Sequence, residues 1–183
     1  MALFCRVLAQ LLIIHTLAYG QAPRIGERRA VVAVAQQYIG VRETGENRGE
    51  PYRLFIQPYG YGPGTMWCGL FLHHCYTQAV IKHGVKGAAL AANWGLPAKT
   101  IISRWGRQVA KRPPLAGDVA LYRFGQSRIC HVELILNWPS DEDYFWVIGG
   151  NTSNPANAKE EGVFAKRRLK KDCLVVNRID FFN

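Results

Sequence analysis

Residues 66–71 read Met-Trp-Cys-Gly-Leu-Phe and lie where a loop is expected to give way to a helix. A segment rich in Gly, Pro and Tyr, 58–65, precedes them, and a segment of helical character, 70–82, follows. Thr65 is expected to cap the N-terminus of this helix. Cys68 is therefore predicted in the first helical turn, where unpaired backbone N–H groups and the helix dipole favour a thiolate. A cysteine in that position is a candidate nucleophile that needs a base.

The length and composition predict one folded domain behind a cleaved leader. The chain has 183 residues and is 49% hydrophobic, which is enough for a full core and excludes a disordered chain. Residues 1–20 contain an early Arg6, an apolar run and a final Ala-Tyr-Gly, which together are typical of a secretory signal peptide. We expect residues 21–183 to be secreted or periplasmic. An uncleaved anchor is the alternative, although the apolar run is short for a membrane-spanning helix and no later segment could span.

The formal net charge of +10 predicts an anionic partner. Because export is expected, an anionic cell-envelope or wall polymer is favoured over nucleic acid. The basic cluster at 166–168 is interpreted as a solvated surface feature.

The cysteine pattern excludes zinc ribbons and thioredoxin-like sites, since no Cys-x-x-Cys pair is present. Cys130 and Cys173 form the one pair considered for a disulfide. A zinc site at 73–75 (His-His-Cys) is rejected because adjacent residues on a helix point apart and no second pair of ligands follows. We expect neither a metal nor a cofactor.

The hydrophobic pattern changes along the chain from helices to strands. Helices are predicted at 29–39, 52–57, 70–82, 88–92 and 98–105, and strands at 119–124, 131–138, 144–148, 163–168 and 174–180. This order predicts an α+β fold in which N-terminal helices pack on a C-terminal antiparallel sheet.

His131 is the histidine expected to face Cys68 across a cleft, because it begins a strand and the other candidates lie in the leader or on and beside the helix of Cys68. A hairpin turn centred on Asp141 would place His131 opposite Asn151. Opposed residues project from the same face of a sheet, so Asn151 is predicted to orient the imidazole as the third member of a triad. Glu133 shares the face of His131 and is the fallback orienter. A slip of one residue in register would turn Asn151 to the other face.

Several short motifs occur in a characteristic order. They are Tyr-Ile-Gly-Val-Arg-Glu at 38–43, Asn-Arg-Gly at 47–49, Trp-Cys-Gly-Leu-Phe at 67–71, Trp-Gly at 105–106, Pro-Leu-Ala-Gly-Asp-Val at 114–119, His-Val at 131–132 and Gly-Gly-Asn at 149–151. In this order the chain resembles the CHAP family (cysteine, histidine-dependent amidohydrolase/peptidase) of the papain-like cysteine peptidase group.

The resemblance implies a papain-like fold and an enzyme that cuts amide bonds in peptidoglycan, as an N-acetylmuramoyl-L-alanine amidase or a stem-peptide endopeptidase. It implies that Cys68 is the nucleophile, His131 the base and Asn151 the third residue. Two departures stand out. Glu133 occupies a position where the family often has Gly, and the calcium-binding loop of some members is absent.

A substrate groove is expected near aromatic side chains that flank the nucleophile or lie later in the helical half. The candidates are Tyr59, Tyr61, Trp67 and Trp94, whereas Trp105 is expected in the core. Two other functions stay open at this point: a catalytically inactive cell-wall-binding module, and an acyltransferase or transamidase that uses the same thiol.

Overall fold

The computed structural model describes residues 24–103 and 107–180. The expected signal peptide, 1–20, and Trp105 lie outside these residues. Within the described residues, no helix is long and apolar enough to cross a membrane.

Two α-helices make up the regular helical part of the described chain. Helix α1 spans Ile25–Gln37 and helix α2 spans Cys68–Gln78. Five short helical turns accompany them: Tyr52–Ile56, Gln57–Tyr59, Ala91–Trp94, Pro97–Lys99 and Lys170–Asp172.

Both ends of α2 differ from the sequence-based expectation. The hydroxyl of Thr65 donates to the carbonyl of Gly62 at 2.7 Å and so closes a turn of the loop, while Trp67 occupies the cap position of the helix. The helix stops at Gln78, short of residue 82, because Val80 adopts a left-handed backbone conformation with φ of 58°.

Six strands form one antiparallel sheet. They are β1 (Thr100–Ile102), β2 (Val119–Tyr122), β3 (His131–Ile135), β4 (Tyr144–Ser153), β5 (Glu161–Leu169) and β6 (Cys173–Val176), in the spatial order β1-β6-β2-β3-β4-β5. The α+β class and the helices-then-sheet order are confirmed. The helix predicted at 98–105 is wrong: Thr100, Ile101 and Ile102 are β-branched and pair with β6 at the edge of the sheet.

The helices cover one face of the sheet. Leu70 and Phe71 of α2 belong to a buried cluster that also contains Val132, Leu134 and Ile148 of the strands. A second cluster, which includes residues from β1, β2, β3, β4 and β6, fills the opposite face. The sheet is therefore buried on both faces, and α2 is fixed against β3 and β4 by its own apolar side chains.

A buried network of charges joins the two ends of the described chain. Arg28 of α1 donates to Asp118 at 2.9 Å and to Asp180 at 2.6 Å, and Arg112 contacts the same two carboxylates. Arg28, Asp118 and Asp180 are at most 5% exposed. Gly117, whose φ is 85°, makes room for the network, since a Cβ there would lie 3.2 Å from the backbone of Arg28. The Gly-Asp pair that precedes β2 thus has a structural role.

We predict that Arg28→Ala lowers the free energy of unfolding by about 3–5 kcal/mol, because it leaves buried carboxylates short of a positive partner. Chemical denaturation at pH 7 measures the change. Arg29→Ala is the matched control, since Arg29 is exposed on the same helix and its loss should cost less than about 0.5 kcal/mol. Equal effects of the two substitutions would contradict the structural role of the network.

Candidate active site

Cys68 is the first residue of α2, as the sequence predicts. Cys68 is only 2% exposed, yet it lines a cavity beside the N-terminus of α2. The next residue, Gly69, lets the segment 88–92 approach this end, because a Cβ at Gly69 would lie only 2.1 Å from the carbonyl oxygen of Ala88. The thiol is therefore held at a buried helix start whose first N–H groups have no partner within the helix.

His131 begins β3, and its ring is held by Glu133 two residues further along the strand. The Nε2 atom of His131 lies 3.1 Å from Oε1 of Glu133, and the two residues are 8% and 0% exposed. Arg168 of β5 donates to both carboxylate oxygens, from Nε at 2.8 Å and from a terminal nitrogen at 2.6 Å. His131, Glu133 and Arg168 thus form a hydrogen-bonded series, and an interaction of the imidazole with the Cys68 thiol joins this series to α2.

The charges of this series stabilise one another. Burial alone would raise the pKa of Glu133, but hydrogen bonds from Arg168 and His131 outweigh it and lower that pKa to about 2. Burial alone would lower the pKa of His131, but interactions with the Cys68 thiol and with Glu133 outweigh it and raise that pKa to about 9. An imidazolium is therefore favoured up to about pH 9, and Glu133 is a carboxylate throughout the physiological range.

Two adjacent glycines allow β4 to pass between the acid and the helix. A Cβ at Gly149 would lie 2.6 Å from Oε1 of Glu133. A Cβ at Gly150 would lie 2.6 Å from both Phe71 and Trp67 of the helix region. Any larger residue would push either the carboxylate or the helix start away, so the Gly-Gly pair sets the spacing of the site.

The predicted register of the β3–β4 hairpin is confirmed where the two strands pair. Leu134 faces Ile148 and Ile135 faces Val147, which are the pairs that a turn centred on Asp141 requires. A bulge between Gly149 and Thr152 then interrupts the pairing of β4 with β5.

The predicted contact between Asn151 and His131 is wrong. Asn151 lies within the bulge and has a left-handed backbone, with φ of 52°. A bulge re-aims the side chains that follow it, so the opposition of His131 and Asn151 does not survive. Among the described residues, the hydrogen bond that orients the imidazole comes from Glu133, which the sequence analysis ranked as the fallback.

Asn151 instead holds the loop and the helix start together. Its Oδ1 accepts from the backbone N–H of Trp67 at 3.1 Å, and its Nδ2 donates to Oδ1 of Asn47 at 2.8 Å. Asn47 in turn donates to the carbonyl of Gly64 in the glycine-rich loop at 3.2 Å. Asn151 therefore fixes Trp67, the residue before Cys68, rather than the imidazole of His131.

The four aromatic side chains expected to form a substrate groove do not line the cleft. Trp67 and Trp94 are 0% exposed and belong to the core, so their assignment to a groove is wrong. The Tyr59 hydroxyl is 3.0 Å from Nδ1 of His74 on α2. Tyr61 is 38% exposed, but neither tyrosine lines the cavities beside Cys68 and His131.

Two cavities meet at Met66 and Cys130 and form the cleft. The Cys68-side cavity, of 260 Å³, is lined by small and apolar residues that include Ala89, Leu90, Ala92 and Ile129. The His131-side cavity, of 470 Å³, is lined mainly by polar residues that include Asn151, Thr152, Ser153, Glu161 and Arg168. A third cavity, of 480 Å³, lies at the other end of α2, and its lining offers neither a thiol nor an imidazole.

The other described cysteines are free, so the Cys130–Cys173 disulfide is not formed. The thiol of Cys130 donates to the carbonyl of Arg123 at 3.2 Å, and that of Cys173 donates to the carbonyl of Lys170 at 3.4 Å. Within residues 24–103 and 107–180, no group of three or more His, Cys, Asp or Glu side chains could hold a metal ion.

Arg168 was missed by the sequence analysis because it sits in the basic cluster 166–168, which was interpreted as solvated. The strand alternation of β5 carried the missing signal. Lys166 and Arg168 share one face of the strand and turn inward, and Arg167 turns outward with its side chain 52% exposed. Strand periodicity thus separates the inward cations from the outward one.

Comparison of the chain with protein-family models, with curated proteins and with solved structures found no match. The arrangement of Cys68, His131 and Glu133 and the sequence motifs that accompany them are the features that indicate a function.

We predict that iodoacetamide at pH 7 labels Cys68 at least about tenfold faster than Cys75 or Cys173, because Cys68 lines the cleft and interacts with the imidazole of His131. Burial raises the pKa of Cys75, which is 0% exposed, and raises that of Cys173 to about 12. Mass spectrometry of the labelled peptides gives the rates, and His131→Ala should slow the labelling of Cys68 alone. Labelling in guanidinium, where every thiol is exposed, is the control. Equal rates in the native protein would contradict an activated Cys68.

Proposed function

We propose that this protein is a cysteine amidohydrolase that cuts amide bonds in peptidoglycan, with Cys68 as nucleophile, His131 as base and Glu133 as the orienting acid. One observation carries the proposal: a thiol at a buried helix start interacts with an imidazole whose Nε2 is held by a buried carboxylate. This nucleophile, base and orienter arrangement is the general design for acyl transfer through a covalent intermediate.

The hydrogen bond to Glu133 decides which ring nitrogen does the chemistry. Because Nε2 of His131 donates to the carboxylate, Nδ1 is the nitrogen that takes the proton of the Cys68 thiol. The resulting thiolate attacks the scissile carbonyl and forms a tetrahedral intermediate. The imidazolium gives its proton to the leaving amine as the C–N bond breaks, which leaves the acyl group on Cys68 as a thioester. In a second step, water that gives a proton to His131 attacks the thioester, the C–S bond breaks, and the carboxylic acid and the Cys68 thiol are released.

The oxyanion of the intermediate meets the first turn of α2. The N–H of Trp67 is already taken by Asn151, so the donors begin with the N–H of Cys68. These donors are fixed in place before the reaction, and such preorganised donors commonly supply the largest share of the stabilisation of the transition state.

The substrate class rests on the family resemblance and on charge. The ordered motifs resemble the CHAP family, and a helix bearing the thiol followed by a strand bearing the imidazole supports the papain-like arrangement. The net charge of +10 favours binding to anionic wall polymers, and the expected leader directs the chain to the compartment where peptidoglycan lies.

The two cavities of the cleft support one direction for the substrate. The general acid must reach the leaving nitrogen, so the leaving group lies in the polar His131-side cavity. The acyl residue then lies in the smaller, apolar Cys68-side cavity. Glu161 on the polar side lies near Glu43, and burial together with this neighbour raises the pKa of Glu43. A leaving group that carries a second amino group suits this end.

We predict that Cys68→Ala and Cys68→Ser abolish the release of fragments from purified sacculi, since serine remains almost wholly protonated beside the same base. Mass spectrometry of the digest identifies the bond that is cut, and circular dichroism checks the fold of the variants. Wild-type activity should persist in EDTA.

Three outcomes would overturn this assignment. Full activity in Cys68→Ala would exclude the proposed nucleophile. Binding to sacculi without any cleavage would indicate an inactive wall-binding module. Transfer of the acyl group to an added amine in preference to water would indicate a transamidase.

We predict that Ala89→Leu lowers kcat/KM for substrates with an alanyl acyl residue about tenfold more than for glycyl ones, whatever the leaving group, because it fills the Cys68-side cavity. Glu161→Gln should lower kcat/KM only for leaving groups that carry a second amino group. Fluorogenic amides that vary one side at a time measure both effects. Ala98→Leu, on an exposed turn, is the control. The reversed pattern would reverse the direction of the substrate.

A further inference from the structure

The carboxylate of Glu133 lies in a place where a lone acid would not stay ionised. It is 0% exposed, on the interior of a central strand, and a buried carboxyl without a cation takes up a proton. A protonated Glu133 would donate to Nε2 of His131 and not accept from it. The neutral ring would then carry its proton on Nδ1, the nitrogen that has to accept from Cys68.

Arg168 reaches this carboxylate from β5 and binds it in a bidentate manner. Its Nε contacts Oε2 and a terminal nitrogen contacts Oε1, the same oxygen that faces His131. The planar guanidinium matches a carboxylate, so the contact determines both the charge and the orientation of the acid.

The guanidinium itself is fixed by aromatic side chains. It lies 5.2 Å from the ring centre of Tyr122 and 5.1 Å from that of Phe124, and these two rings stack on each other. Its side chain is 20% exposed and forms part of the wall of the His131-side cavity.

We propose that Arg168 is a positioning residue for the reaction: it keeps Glu133 an aimed carboxylate, so that His131 holds its neutral proton on Nε2 and accepts the Cys68 proton on Nδ1. The inference rests on the proposed function, since it assigns Arg168 a part in the same acyl transfer. Arg168 itself touches neither thiol nor imidazole in the described contacts.

The other titratable groups around Glu133 do not replace Arg168. Tyr122 of β2 and Cys173 of β6 have raised pKa values because of burial and are neutral at pH 7. Lys166 of β5 is the second cation, but its Nζ donates to the side chain of Thr152 and to Ser153. On β3 itself, His131 is the group that Glu133 orients, and Cys68 faces it from α2.

The test is a double-mutant cycle read by pH profiles. The variants are Arg168→Met, Arg168→Lys, Glu133→Gln and the double variant Glu133→Gln/Arg168→Met. Arg167→Met is the matched control, because Arg167 is the adjacent outward cation with its side chain 52% exposed. Two readouts are taken on the full chain: hydrolysis of a fluorogenic amide, and alkylation of Cys68 by iodoacetamide.

Arg168→Met should lower kcat on the order of 10²-fold at pH 7 with little change in KM. Its acid limb should move to higher pH, because Glu133 gains a proton more easily once the guanidinium is gone. Arg168→Lys should keep most of the pH range over which the wild type is active. In the Glu133→Gln background, Arg168→Met should shift neither limb further. Arg167→Met should match the wild type.

If Arg168→Met raises KM and leaves the limbs of the pH profile unchanged, Arg168 acts in substrate binding and the proposal is overturned. The proposal is also overturned if Arg168→Met shifts the pH limbs equally in the wild-type and Glu133→Gln backgrounds. If Arg168→Met does not fold, Arg168→Lys and the double variant, which removes both buried charges, carry the same comparison. Alkylation needs no substrate. A wild type that cleaves no amide but shows the predicted alkylation profiles would therefore refute the proposed hydrolysis and retain the role of Arg168.

Discussion

The close approach of α2 to β4 at Gly150 is the constraint on which the rest of the site depends. A single methyl group at this position would collide with Phe71 and Trp67. Gly69 permits the matching approach on the other side of the helix, where the carbonyl of Ala88 comes near. With both contacts made, the start of α2 lies against the ends of β3 and β4, and a thiol and an imidazole from distant parts of the chain meet in one cleft.

Charge is buried in this protein in two separate places, with different consequences. The network around Arg28 and Asp118 joins α1 to the segments that flank the sheet, lines neither cavity of the cleft, and acts on stability. The pair of Glu133 and Arg168 lies beside the imidazole and acts on the protonation of His131. In both places an arginine contacts both oxygens of one carboxylate. The planar guanidinium can donate to both oxygens at once, whereas a lysine ammonium acts as a point charge.

The exchange of roles between Asn151 and Glu133 follows from one bulge. The bulge turns Asn151 towards the helix start, where its amide accepts from Trp67 and donates to Asn47. Glu133 remains on the regular part of β3, on the same face as His131, and its carboxylate contacts the imidazole ring. Glu133 therefore holds the imidazole of His131, and the Asn151 amide holds the glycine-rich loop against the start of α2.

The sequence by itself determined the position of Cys68 at a helix start, the position of His131 at the start of a strand, the helices-then-sheet order and the pairing register of the β3–β4 hairpin. These features depend on local preference and on strand alternation, which neighbouring residues specify. The tertiary structure decided the orienting residue, the burial of Trp67 and Trp94 and the inward turn of Arg168. A bulge inserts an extra residue into a strand and changes which face the following side chains project from, and no clear local sequence pattern marks it. A buried ion pair between two strands forms only when the fold places those strands near each other.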